Sequence, residues 1–175
     1  MTIQNLQFEL FITQDDINKR VEELAKSIQK DYKGKTPTFL IILNGAFMFA
    51  SDLIKHYQGE CRICFMRLSS YRGTRSTGNI STYLEAEQLD NQDIIIVEDI
   101  VDTGNSIEYI IQNLKTKNLK SYSIASLFYK PDAYKKPYSI DYIGFKIPDK
   151  FIVGYGLDYN GLGRNLPDIY QLKTS

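Results

Sequence analysis

Ile94-Ile95-Ile96-Val97-Glu98-Asp99-Ile100-Val101-Asp102-Thr103-Gly104-Asn105-Ser106 is the stretch on which the reading of this chain turns. It opens as a β-branched apolar run, the pattern of a strand buried on both faces. It closes on two adjacent carboxylates, a third acid three residues on, and a turn of small residues. A helical pattern follows at once, with Ile107, Ile110, Ile111 and Leu114 at i, i+3, i+4 and i+7. Strand, acidic edge, glycine turn and helix start together predict a binding site for something phosphorylated.

Bulk properties narrow the field. At 175 residues the chain is expected to form one domain, residues 1–175, with a substantial core. Lys plus Arg and Asp plus Glu each number 21, giving zero net charge; a general nucleic-acid binder usually carries a basic excess. No apolar run approaches the roughly 18 residues of a membrane helix, and Met1-Thr2-Ile3-Gln4-Asn5 lacks the pattern of a secretory signal. A cytoplasmic protein with neither nucleic-acid nor membrane partners is expected. Cys61 and Cys64 form a CxxC, but inside a strand-like segment such positions face opposite ways, and no second Cys or His pair completes a zinc site. They are read as structural. The single histidine, His56, is expected at the surface end of a helix.

Along the chain, Thr13-Gln14-Asp15-Asp16 has capping-box spacing and starts a helix striped by Ile17, Val21, Leu24, Ala25 and Ile28. Residues 39–43 read as a buried parallel strand, Asn44-Gly45 as a turn, and Ala46, Ala50, Leu53, Ile54 and Tyr57 as a helical stripe. Residues 61–68 form the next strand. Residues 69–79 are polar, basic and without periodicity, as in a functional loop. Further strands are predicted at 122–129, 142–145 and 151–153. Alternating strands and helices through the middle argue for a parallel α/β sheet.

The chemistry concentrates at the end of the central strand. Unpaired buried carboxylates cost several kcal/mol each, so Glu98 and Asp99 are expected at or beyond the strand's carboxyl end, where ligands bind in open α/β sheets. Carboxylates there suit ribose hydroxyls or a hydrated Mg²⁺; the alternative is an ordinary solvated strand end. In the turn 103–106, backbone N–H groups and the helix dipole favour a phosphate, and Thr103 and Ser106 add hydroxyls. The competing reading is a plain helix cap, with Asn105 and Glu108 at capping-box spacing. Neither GxxxxGK[ST] nor a GxGxxG following a strand is present, which disfavours a Walker ATP site and a dinucleotide fingerprint. A sugar phosphate remains.

Val97-Glu98-Asp99-Ile100-Val101-Asp102-Thr103-Gly104 resembles the phosphoribosyl-diphosphate (PRPP) signature of the type I phosphoribosyltransferases. The segment from Gly144 to Asn160, Gly144-Phe145-Lys146-Ile147-Pro148-Asp149-Lys150-Phe151-Ile152-Val153-Gly154-Tyr155-Gly156-Leu157-Asp158-Tyr159-Asn160, resembles the carboxyl-terminal signature of the hypoxanthine-guanine branch. The resemblance spans roughly residues 8–172. It implies an α/β fold with a central, mainly parallel sheet flanked by helices, and a small hood built from the terminal segments. It also implies purine salvage: transfer of 5-phosphoribosyl from PRPP to N9 of hypoxanthine or guanine, giving IMP or GMP and pyrophosphate, with Mg²⁺.

By the same resemblance Asp102 is the base acting at purine N7. Glu98 and Asp99 hold the ribose, directly or through Mg²⁺, and residues Asp102, Thr103, Gly104, Asn105 and Ser106 take the 5′-phosphate. Asn44, Gly45 and Arg164 bind pyrophosphate, with a cis peptide at Leu43–Asn44 as a family feature. Asp158 lies near the purine and reaches a second Mg²⁺. Phe151 and Ile100 sandwich the base, the Ile152 main chain reads its edge, and Lys130 donates to a 6-carbonyl; an ammonium only donates, so adenine would offer it no acceptor. Ser70 and Tyr71 belong to a lid. Asn44 and Asn105 stand where many or some relatives have lysine. The family is usually a homodimer or homotetramer. The rival readings are a xanthine-accepting transferase and a non-catalytic nucleotide-sensing regulator on the same fold.

Overall fold

The computed structural model describes residues 1–70, 80–85 and 89–173. The elements in chain order are β1 (Thr2–Ile3), β2 (Leu6–Ile12), α1 (Gln14–Asp31), β3 (Thr38–Leu43), α2 (Phe47–His56), β4 (Arg62–Ser70), β5 (Ile80–Glu85), β6 (Asp93–Val101), α3 (Asn105–Leu114), β7 (Ser121–Tyr129), β8 (Tyr142–Lys146), β9 (Ile152–Val153) and β10 (Ile169–Leu172). The main sheet runs β5-β4-β3-β6-β7-β8. All its neighbours are parallel except β4 and β5, which pair antiparallel from Phe65↔Glu85 to Ser70↔Ile80. β6 therefore lies in the middle, with β3 and β7 satisfying its backbone on either side, and residues Ile94 to Val97 are fully buried.

Two cores follow from strand alternation. One face of the sheet, with Phe39, Ile41, Ile95, Val97 and Leu127, packs under α1 and α2. The other, with Leu40, Ile42, Ile94, Ile96 and Ile124, packs under α3. α1 starts at the predicted Thr13 cap, whose hydroxyl oxygen accepts the Asp16 N–H at 3.2 Å. It buries the predicted stripe. α3 buries Ile107, Ile110, Ile111 and Leu114, each contributing about 1.5–3 kcal/mol of apolar burial. In α2 the predicted Ala50 and Leu53 are buried, but so is Phe49, which that stripe omitted.

The expected hood is a second, antiparallel sheet in the order β1-β2-β10-β9, joining the amino-terminal strands to the carboxyl-terminal ones. Its small core is Ile3, Phe8 and Val153. Cys61, just before β4, packs against the α1/α2 core, and Cys64, within β4, packs against the α3 core. Among the described residues no helix is long and apolar enough to cross a membrane.

Two departures from the sequence reading matter, and one part of it lies outside the described residues. β4 runs to Ser70, two residues into the segment expected as a loop, because β5 offers it a pairing partner. The rest of the predicted lid, 71–79 and Tyr71 with it, lies outside the described residues. Finally, Glu98 and Asp99 sit within β6 and not beyond it.

Replacing Ile110, 0% exposed, with alanine should destabilise the fold by about 2–5 kcal/mol, measured by urea denaturation. A cost under about 1 kcal/mol would show that the α3 core is loosely packed.

Candidate active site

β3, β6 and β7 are parallel, so their carboxyl ends share one edge of the sheet. β3 ends in a cis peptide at Leu43–Asn44 followed by Gly45. β6 runs through Glu98, Asp99 and Val101 into Asp102, and β7 ends just before Lys130. A cavity of about 250 Å³ at this edge is lined by the continuous run from Glu98 to Ile107.

Glu98 is only 5% exposed. Burial, then the neighbouring Asp99 charge and a hydrogen bond between the two carboxyls, pushes it well above the ordinary carboxylate range. Burial also raises Asp99, opposed by the Ile100 N–H donating to its Oδ1 at 2.9 Å and by the nearby Arg164 cation. Both carboxyls are therefore shifted toward the neutral form, Glu98 the more strongly. This is why Glu98 tolerates a position inside the strand: a buried acid neutralises itself in preference to leaving an uncompensated charge. Among the described residues no three acids, histidines or cysteines gather around one point. The oxygen donors of Glu98 and Asp99 fit a divalent cation that keeps most of its waters.

The phosphate side is built on Gly104. Its φ of +83° is left-handed, and it caps α3 with no side-chain bond, so the capping box read at Asn105 and Glu108 is not formed. Thr103, Asn105 and Ser106 are exposed at the helix start.

Asn44 and Gly45 meet the carboxyl-terminal segment through backbone. A Cβ at Gly45 would collide with the Asp99 carboxylate, and one at Gly156 with the Gly45 carbonyl. Three separate segments therefore touch where only glycine leaves room. Arg164 pairs with Asp158 at 2.6 Å and donates to the Gly156 carbonyl at 2.5 Å. Asp158 also accepts the Gly161 N–H at 2.6 Å. Asn44 and Gly45 are thus brought to the loop that carries Asp158 and Arg164. The sequence reading missed the anchor of this loop: Tyr155, 2% exposed at φ +44°, donates its hydroxyl to Asp52 at 2.5 Å. Burial and the Asp52 carboxylate push that phenol above its normal range.

On the other side of the edge, Lys130 is 6% exposed and bonds Asp102 at 2.8 Å and Asp149 at 3.0 Å. Burial draws its pKa down, but the two carboxylates outweigh it and the net shift is upward. The ammonium has three donors, so one remains for a further acceptor. Lys130 and Asp102, given separate roles by the sequence, form one ion pair; Asp149 was not anticipated. Phe151 is 42% exposed, 6.2 Å from Phe8 and edge-on to Tyr159 at 5.9 Å. Ile100 packs against the α1/α2 core, and Ile152 is buried in β9 opposite Gln171. Ser70 is the last residue of β4.

The phosphoribosyl transferase domain family matches residues 13–160. A hypoxanthine-guanine phosphoribosyltransferase of Staphylococcus aureus is 42% identical over 167 residues, 94% of this chain and 93% of that protein. One from Staphylococcus epidermidis is 40% identical over the same coverage. Among solved structures, a hypoxanthine phosphoribosyltransferase from Staphylococcus aureus aligns with TM-score 0.88 at 42% identity, covering 97% of this chain and 93% of that one. A hypoxanthine-guanine phosphoribosyltransferase from Bacillus anthracis aligns with TM-score 0.88 at 31% identity, covering 97% and 100%.

Because Glu98 is raised in the folded state, the fold holds its proton more tightly than the unfolded chain, so this group withdraws stability as pH climbs above about 4.3. Glu98→Gln removes that titration. With divalent cations chelated, its Tm should exceed the wild type's at pH 7 and the difference should vanish near pH 4. A constant difference across that range would mean that the fold does not raise Glu98.

Proposed function

The chain belongs to the phosphoribosyl transferase family, and from that membership we propose that it transfers the 5-phosphoribosyl group of PRPP to N9 of hypoxanthine or guanine, giving IMP or GMP and pyrophosphate. The observation that carries the purine half is the Lys130–Asp102 pair, 2.8 Å apart beside the acid pair and the glycine turn. A purine held there meets a donor and a base in fixed relation.

The sugar phosphate fits the β6 end in parts. The 5′-phosphate takes the backbone N–H groups of 103–106, where partial positive charge is already oriented. Glu98 and Asp99 receive the ribose hydroxyls. Asn44, Gly45 and Arg164 receive pyrophosphate; Asn44 brings no charge, so the guanidinium, suited to two-pronged phosphate contact, carries the cationic share. Mg²⁺ held by Glu98 and Asp99, with a second ion at Asp158, would supply counter-charge for the departing pyrophosphate.

Asp102 is the proton acceptor at purine N7. Its ionised form also stabilises positive charge that develops as the C1′–oxygen bond breaks. The third N–H of Lys130 is directed to the 6-carbonyl. An adenine amino group would leave that buried donor unpaired, at a cost of about 1–3 kcal/mol or more. The exposed Phe151 ring and Ile100 bracket the base, and the Ile152 main chain meets its edge. The reading includes a cytoplasmic setting and a homodimer or homotetramer, to be counted by light scattering.

A coupled assay with PRPP and Mg²⁺ should give turnover with hypoxanthine and guanine and little with adenine. No turnover with any purine would overturn the enzyme reading in favour of a nucleotide-sensing protein, and xanthine as best substrate would overturn the specificity. Asp102→Asn should lower kcat by about 10²–10⁴-fold while changing the KM for PRPP little. Parallel losses in both parameters would assign Asp102 a binding role instead.

A further inference from the structure

Lys136 has no part in the roles above, yet it stands against the phosphate turn. The space a Cβ of Gly104 would fill is taken by the Tyr134 ring and by Lys136 Cγ, so these two side chains roof the turn from behind. The roof is braced: the Tyr134 ring meets Tyr129 edge-on at 5.5 Å, and its hydroxyl donates to the Tyr138 carbonyl at 2.8 Å. From there the Lys136 ammonium bonds Glu108 at 2.7 Å, the two side chains being 22% and 35% exposed. Glu108 is the acid in the first turn of α3, and its N–H donates to the Gly104 carbonyl at 2.9 Å.

A carboxylate in a helix's first turn suits the bare helix, because it faces the positive end of the dipole. It opposes a phosphate dianion at the same end, since like charges within a turn repel with little screening. We propose that Lys136 sets the affinity of the turn for the sugar donor's 5′-phosphate: by pairing with Glu108 it cancels the acid's field and keeps residues 103–106 electropositive. Lys136 is a positioning residue for charge; it acts through Glu108 and need not touch the phosphate. The inference rests on the placement of the 5′-phosphate in the preceding reading.

The test is a sign test. Binding of ribose 5-phosphate, with ribose as control, is measured by calorimetry alongside KM values for PRPP and hypoxanthine. Lys136→Gln should weaken ribose 5-phosphate and raise the PRPP KM about three- to tenfold, leaving the hypoxanthine KM unchanged. Glu108→Gln leaves an uncompensated ammonium by the turn and should tighten both. The double variant should return near wild type, and Lys136→Arg, which keeps the charge and spares the fold, should match it. Weakening by Glu108→Gln as large as that by Lys136→Gln, or a double variant worse than either, would overturn the proposal by making the pair purely structural. Ribose 5-phosphate binding no better than ribose to the wild type would overturn it together with the phosphate placement. Tight ribose 5-phosphate binding with the expected signs but no PRPP turnover would uphold it while removing the enzymatic reading.

Discussion

At Gly45 and Gly156 a single added methyl would meet, respectively, the Asp99 carboxylate and the Gly45 carbonyl. The site depends on this close approach. It sets the turn after β3 directly on the end of β6, and the carboxyl-terminal loop directly on that turn, with no side chain between. The approach is held from outside by Tyr155, which is buried, reaches Asp52 on α2 and adopts a left-handed backbone that a bulky residue accepts only under tertiary constraint. Residues distant in sequence share one small volume because backbone touches backbone.

Charge in that volume is already paired before any substrate enters. Glu98 is hydrogen-bonded to Asp99, Lys130 lies between Asp102 and Asp149, Arg164 holds Asp158, and Lys136 holds Glu108. Such pairs are poor evidence of stability, since desolvation offsets most of their attraction. Their clustering around one edge of the sheet speaks for function. An anionic, many-charged substrate can exchange partners with these groups without leaving any of them buried and bare, which is the costly state.

The helices and central strands were legible because their patterns are strong. The α1 and α3 stripes are periodic over several turns, and β3 and β6 are unbroken apolar runs. The hood strands and β5 were less so. Ile80-Ser81-Thr82-Tyr83-Leu84-Glu85 has strand-like residues, but its state depends on β4 as a partner, and Leu6–Ile12 depends on β10 from the other end of the chain. Glu98 was expected at or beyond the end of its strand because the cost of a buried charge was weighed without the neighbouring acid and the burial that together raise it.

By itself the amino-acid order determined the family-like signatures, the fold class and the residue types that do chemistry: acids at a strand end, glycine at the turn, one lysine suited to a carbonyl. Only the tertiary structure decided which of these groups meet. Local pattern reports how a residue treats its near neighbours in the chain, whereas ion pairs such as Lys130 with Asp102 and Asp149, or Lys136 with Glu108, span 19 to 28 residues. They form because β6, β7 and the loop after β8 end at one edge. The upward shift of Glu98 beside Asp99 joins both sources: adjacency was written in the chain, and burial, its largest cause, came only with the fold.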